Sequence, residues 1–136
     1  MAAAKKTTYI EGIGRRKTST ARVRLTIASS TEITVNGKPM NDYFGNLSHQ
    51  KDILSVLATE EAGIEHYTIS AKVSGGGISS QAESIRLGIA RALVKEKADR
   101  RSPLKLAGFL KRDPRSVERK KPGLRKARKR AAWSKR

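Results

Sequence analysis

No cysteine occurs in the 136 residues, which excludes disulfides, thiolate nucleophiles and thiolate metal sites together and makes a reducing cytosol the expected setting. Long apolar runs are missing as well. Nothing approaches the roughly 18 residues needed to span a bilayer, and the opening MAAAKKTTYI lacks the apolar stretch of a secretory signal. Acidic side chains are scarce, 12 against 30 Lys and Arg, for a net charge of +18. A compact chain with that excess repels itself unless a polyanion neutralises it. There is no internal repeat, and the length suits one core with an extension.

The charge is unevenly placed. Residues 1–24 carry seven basic and one acidic side chain, residues 25–110 ten and nine, and residues 111–136 thirteen and two. A nearly neutral middle between two cationic ends points to nucleic acid rather than to general solubility. The expected organisation is a flexible start at 1–6, a globular body at 7–110 and a basic tail at 111–136.

Within the body, Ala21, Val23, Leu25 and Ile27 alternate with Arg22, Arg24 and Thr26 over residues 21–28, the period of a half-buried strand. Glu32 to Asn36 predicts a short strand with Ile33 and Val35 inward, ending at Asn36-Gly37 in a tight hairpin turn. Thr7 to Ile13 predicts a further strand. Ile53, Leu54, Leu57 and Ala58 predict a helix over 49–58 capped by Ser48. His66 to Val73 alternates again, with Tyr67, Ile69, Ala71 and Val73 on one face. A long helix from Ser79 to about Ala98 presents Ala82, Ile85, Ile89 and Leu93, and Pro103 suits the first turn of a last helix through Leu110. These elements give an α+β body.

Two readings of Gly75-Gly76-Gly77 stand. Between a strand and a helix, such a run can offer backbone N–H groups to a phosphate, or it can supply the backbone angles of a turn. It is neither a Walker A loop nor GxGxxG. His49 and His66 have no second ligand at metal spacing, and Glu60-Glu61 reads as solvated surface, so no catalytic or metal site is expected. Arg15, Arg16 and Lys17, followed by Thr18, Ser19 and Thr20, suit phosphate and ribose oxygens. Arg22 and Arg24 continue that positive surface.

The tail has few large apolar residues, chiefly Val117, Leu124 and Trp133, too few to offset chain entropy. It is expected to be disordered or extended when alone, with Leu124 to Ala132 able to become helical once neutralised. Its cations Arg112, Arg115, Arg119, Lys120 and Lys121, then Arg125, Lys126, Arg128, Lys129 and Arg130, are candidate RNA contacts. Guanidinium forks grip phosphate oxygens in pairs. Trp133, the sole tryptophan, either stacks on a base or packs back on the body.

The segments GIGRRKTSTARVRL, VNGKPMNDYFG, VSGGGISSQAESIRLGIARALV and LKLAGFLKRDPRSVERKKPGLRKARKR, with SKR at the end, closely resemble the bacterial-type family of the ninth protein of the small ribosomal subunit. The resemblance implies the fold of the second domain of the fifth small-subunit protein. That fold is a two-layer α+β sandwich of a small mixed sheet with helices and a left-handed βαβ crossover. It also implies a place in the subunit head beside neighbouring head proteins, with body and tail on rRNA and Ser134, Lys135 and Arg136 facing peptidyl-site tRNA. Family members often have phenylalanine or tyrosine where this chain has Trp133. The implied role is structural and cytoplasmic, without cofactor, membrane or small-molecule substrate. A free-standing nucleic-acid chaperone is the alternative, and a phosphotransferase using Gly75 to Ser80 the remote one.

Overall fold

The computed structural model describes residues 8–59 and 65–134. The expected flexible start, the Glu60-Glu61 surface and two residues of the tip, Lys135 and Arg136, lie outside them.

Five strands form one mixed sheet: β1 (Ile10–Arg16), β2 (Ser19–Ile27), β3 (Glu32–Val35), β4 (Lys38–Pro39) and β5 (Tyr67–Ser74), in the order β1-β2-β5-β3-β4. Only β3 and β5 pair in parallel. They are joined through α1 (Met40–Tyr43) and α2 (Leu47–Leu57), while α3 (Ile78–Glu96) follows β5. A 3-10 turn, Ala98–Arg100, leads into α4 (Arg101–Leu106). The class is the expected α+β, with a small mixed sheet and helices.

Register aligns the apolar residues in rows across the sheet. Leu25, Ile69 and Ile33 are lateral neighbours, as are Val23, Ala71 and Val35. Beneath them lie the buried Ala82, Ile85, Ile89 and Leu93 of α3, the stripe that helical spacing predicts. Contact between α3 and β1 is closer than side chains permit. Gly12 and Gly14 face the helix, and a Cβ at either would lie 2.2 Å from Gly88 O or 1.7 Å from Ser84 O. Glycine here serves a backbone-to-backbone approach.

Several boundaries differ from expectation for local reasons. The first strand starts at Ile10 and runs to Arg16. Ile27, expected inward, is exposed, beyond the point where pairing with β1 ends at Leu25. Asn46, not Ser48, caps α2, its side chain accepting from the Ser48 amide at 2.9 Å. That helix packs against α3 with Ile53 and Val56 buried, leaving Leu54 exposed. The Asn36-Gly37 turn has positive φ at both residues, 50° and 79°, as that hairpin type demands, although its second strand is only β4. The last helix stops at Leu106, short of Leu110. Gly108 turns to φ 82°, its amide donating to Lys105 O and that of Phe109 to Leu104 O, a pair of bonds that closes a helix end.

Candidate nucleic-acid interface

The Gly108 turn aims the chain back at the body. Phe109 and Leu110 pack against the core, and the Arg86 guanidinium lies 5.8 Å from the centre of the Phe109 ring. Three residues on, the chain meets the β1–β2 hairpin. Arg16, at the end of β1, has only 11% of its side chain exposed and donates to Glu83 on α3 at 2.7 Å. Its other nitrogens reach Asp113 at 3.3 Å and the Arg115 carbonyl at 2.5 Å. Asp113 in turn accepts from the Arg115 amide at 3.0 Å and from its guanidinium at 2.8 Å. One planar fork thus ties strand, helix and tail together.

Arg16 was expected among the RNA contacts. Its donors are directed at Glu83, Asp113 and the tail backbone, so its position is that of a fastening for the tail. Ser19, expected among phosphate-facing hydroxyls, is instead 1% exposed, on the inward parity of β2. Lys17 projects from the hairpin turn at φ 51°. Arg22 and Arg24 share Glu11, at 3.0 and 3.5 Å, and Arg24 lies 4.5 Å over the Tyr9 ring. The Arg22 hydrogen bond, with the nearby Arg24 cation, holds the Glu11 carboxyl below its ordinary range.

The glycine run has a steric account. Gly75 and Gly76 take φ 75° and 65°, and a Cβ at Gly75 would lie 2.6 Å from Thr18 O. The loop therefore packs against the β1–β2 hairpin, and Gly77 caps α3 without a side-chain bond. Thr31 Oγ1 lies 3.1 Å from His66 Nδ1. Among the described residues no three His, Asp or Glu side chains are grouped to hold a metal, and no helix is long and apolar enough to cross a membrane.

Among the described residues beyond Asp113 the tail forms no helix; the one foreseen over Leu124 to Ala132 is conditional on neutralisation of its charges. Instead Leu124 and Arg130 form an isolated antiparallel bridge, with the Arg125 amide donating to Lys129 O at 2.8 Å. The chain doubles back, and Glu118 gathers two cations, accepting from Lys121 and from Arg128 at 2.9 Å. Repulsion within Arg125-Lys126-Ala127-Arg128-Lys129-Arg130 opposes a helix, which would stack those charges three and four residues apart. Arg112, Arg119, Lys120, Arg125, Lys126, Lys129 and Arg130 are exposed. Trp133 is fully exposed and does not pack back on the body.

Two predictions concern the fastening. Replacing Arg16 by alanine removes charge-assisted bonds and should speed tryptic cleavage after Arg115 by about tenfold with little change in body melting. Lysine should not rescue it, since one ammonium nitrogen cannot take the places of Nε and both Nη atoms, which reach three separate acceptors. Unchanged cleavage would discount the fastening. The Arg115 hydrogen bonds also hold the Asp113 carboxyl well below its ordinary range. A carboxyl lowered on folding contributes stability above its unfolded pKa of 3.8, and that contribution disappears as pH falls through the lower folded value. The Arg115 amide resonance should therefore stay put from pH 7 to about 4, and movement near pH 5 would contradict the assigned contacts.

A family model described as ribosomal protein S9/S16 matches residues 14–136. The small ribosomal subunit protein uS9 of Gloeothece citriformis (strain PCC 7424) is 50% identical over 127 residues, 92% of this chain and 90% of that protein. The uS9 of Mycobacterium leprae (strain TN) is 49% identical, covering 93% and 82%, and that of Mycobacterium tuberculosis (strain ATCC 25618 / H37Rv) 48%, covering 93% and 83%. On a match spanning sheet, helices and tail alike, the chain belongs to the ribosomal protein S9/S16 family.

Proposed function

We propose that the chain is a structural component of the small ribosomal subunit head, in the cytoplasm, where body and tail hold rRNA and the tip faces peptidyl-site tRNA. The observation that carries it is the exposed row of tail cations, fastened at its root to a far less charged body. The family match supports a structural rather than a catalytic role. In this reading residues 7–110 are the body, residues 111–136 the rRNA-threading arm, Trp133 a stacking ring, and Ser134, Lys135 and Arg136 the tRNA-facing end. The β3–β5 crossover is read as left-handed on the family resemblance.

The mechanism is electrostatic. A folded body sets the register, and the arm displaces counterions from crowded phosphates as it becomes ordered. If eight or so tail cations meet phosphates, affinity falls with salt at a log-log slope on the order of −6, and removing residues 111–136 should abolish most of that slope.

Sedimentation is the test. The chain should remain with small subunits through washing at moderate salt, whereas recovery in the free fraction would favour a nonspecific nucleic-acid chaperone. Deleting Ser134 to Arg136 should leave assembly intact and speed tRNA loss from the peptidyl site. Unchanged tRNA dissociation would refute the role given to the tip.

A further inference from the structure

The helices lie along one face of the sheet, and the residues of opposite parity are solvent-facing. On β2 and β5 these are directly paired: Thr20 with Ser74, Arg22 with Lys72, Arg24 with Ser70 and Thr26 with Thr68. Arg15 lies beside Thr20 on β1, and Thr34 beside Ser70 on β3. The centre of the face therefore sets two cations opposite one another within a field of hydroxyls.

Like charges directly opposed across strands destabilise a sheet, and nothing in the fold requires Arg22 and Lys72 to be paired. Glu11 partly compensates Arg22. Among the described residues the Lys72 and Arg15 side chains have neither hydrogen bond nor ion pair. An anion laid between the strands would turn this repulsion into attraction. The hydroxyls around it identify the anion further, since Thr20, Thr68, Ser70 and Ser74 can each donate to and accept from a ribose 2′-hydroxyl, and Thr34, which donates to Ile69 O, can accept. Rings are scarce on this face: no outward residue of the strands is aromatic, and Tyr9, just before β1, has its ring covered by the Arg24 guanidinium at 4.5 Å. Sheets that read single-stranded RNA stack its bases on aromatic side chains, whereas duplex RNA is met through phosphates and 2′-hydroxyls across its shallow minor groove.

We infer that this open sheet face, centred on Arg22 and Lys72, seats the sugar-phosphate backbone of an RNA duplex. The inference rests on the proposal that the chain works on RNA, and it assigns the body a surface and a form of RNA distinct from those of the arm. Contacts to the backbone and 2′-hydroxyls make the face a reader of A-form shape rather than of sequence.

The experiment is amine-reactive footprinting of the full chain, read by mass spectrometry, with a short RNA duplex or single-stranded RNA as the probe. Labelling of Lys72 should fall several-fold with the duplex and stay unchanged with the single strand. In parallel, Arg22→Gln with Lys72→Gln should flatten the salt slope for the duplex by about 1.8, about 0.9 for each lost contact. Relief of the opposed charges should leave the variant's melting temperature no lower. Protection confined to Lys120, Lys121, Lys126 and Lys129 would overturn the sheet face and leave the arm's role standing. Equal protection of Lys72 by the single strand would overturn the duplex assignment. Protection of neither set would defeat this inference and the RNA reading together.

Discussion

Gly14→Ala should destabilise the body by about 3 kcal/mol or more, the upper range for overpacking. The new methyl carbon would lie 1.7 Å from Ser84 O and 2.6 Å from Gly88 N. Both are backbone atoms in the middle of α3, so no rotamer change relieves the clash and the helix must move off the strand. The neighbouring contact is close as well, since Gly88 itself lies under Val23, whose Cγ2 would be 2.7 Å from an added Cβ. Displacing α3 therefore disturbs β2 as well as β1. For a domain of this size the loss corresponds to a fall in melting temperature of about 12 °C or more. Gly45 has nothing within 4 Å of an added Cβ, and Gly45→Ala should shift stability by no more than about 0.5 kcal/mol. A thermal melt of both variants decides it, and equal melting temperatures would mean that α3 does not rest on β1 through glycine.

That contact illustrates what a sequence reveals and what it withholds. The inward faces of β2, β3 and β5 were legible, because each strand's period of two follows from local geometry, whereas the register that aligns them in rows was not. The α3 stripe was legible for the same reason at its own period. Asn36-Gly37 declared its turn through residues that tolerate positive φ. Gly12 and Gly14, by contrast, weaken the apparent alternation of β1, because a residue without a side chain carries no hydropathy signal. The available clue was the spacing: two glycines two apart in a strand share one face, as backbone approached closely on that side would require.

The interface was legible in its charge and less so in its assignments. Thirteen tail cations announce a polyanion partner, yet which cation is already engaged depends on contacts distant in sequence. Arg16 meets Glu83 and the Arg115 carbonyl across 67 and 99 residues, and no local pattern encodes such a meeting. The helix foreseen at 124–132 is conditional on neutralisation, because it rests on the propensity of single residues. Propensity amounts to tenths of a kcal/mol each, less than the repulsion a helical stack of arginines and lysines would add.

The departure of the tail is secured from inside the body as well as at Arg16, and Glu96→Gln should expose that dependence. Arg100, 2% exposed, lies against Glu96, 10% exposed, at 2.6 Å, and donates to the Tyr67 hydroxyl at 2.9 Å. Burial pushes the Tyr67 phenol up, so it stays protonated and donates to Glu96. Neutralising the carboxylate leaves a buried guanidinium without its nearest counter-charge, and losing one partner of such a pair costs about 3 to 5 kcal/mol. The damage should begin locally, because Arg100 ends the 3-10 turn that carries the chain into α4 and the tail root. Hydrogen exchange over residues 98–110 should accelerate before that over β2 and β5. The combination Tyr67→Phe, Glu96→Leu and Arg100→Met removes these three polar groups together at similar volume. It should recover stability to within about 1 kcal/mol of the natural chain, since an apolar replacement avoids the desolvation penalty. RNA affinity of that triple variant should match the natural chain, because none of the three faces the sheet's open side or the arm. An unchanged melting temperature for Glu96→Gln, or weakened RNA binding by the stable triple variant, would show that the cluster does something other than hold the root of the tail.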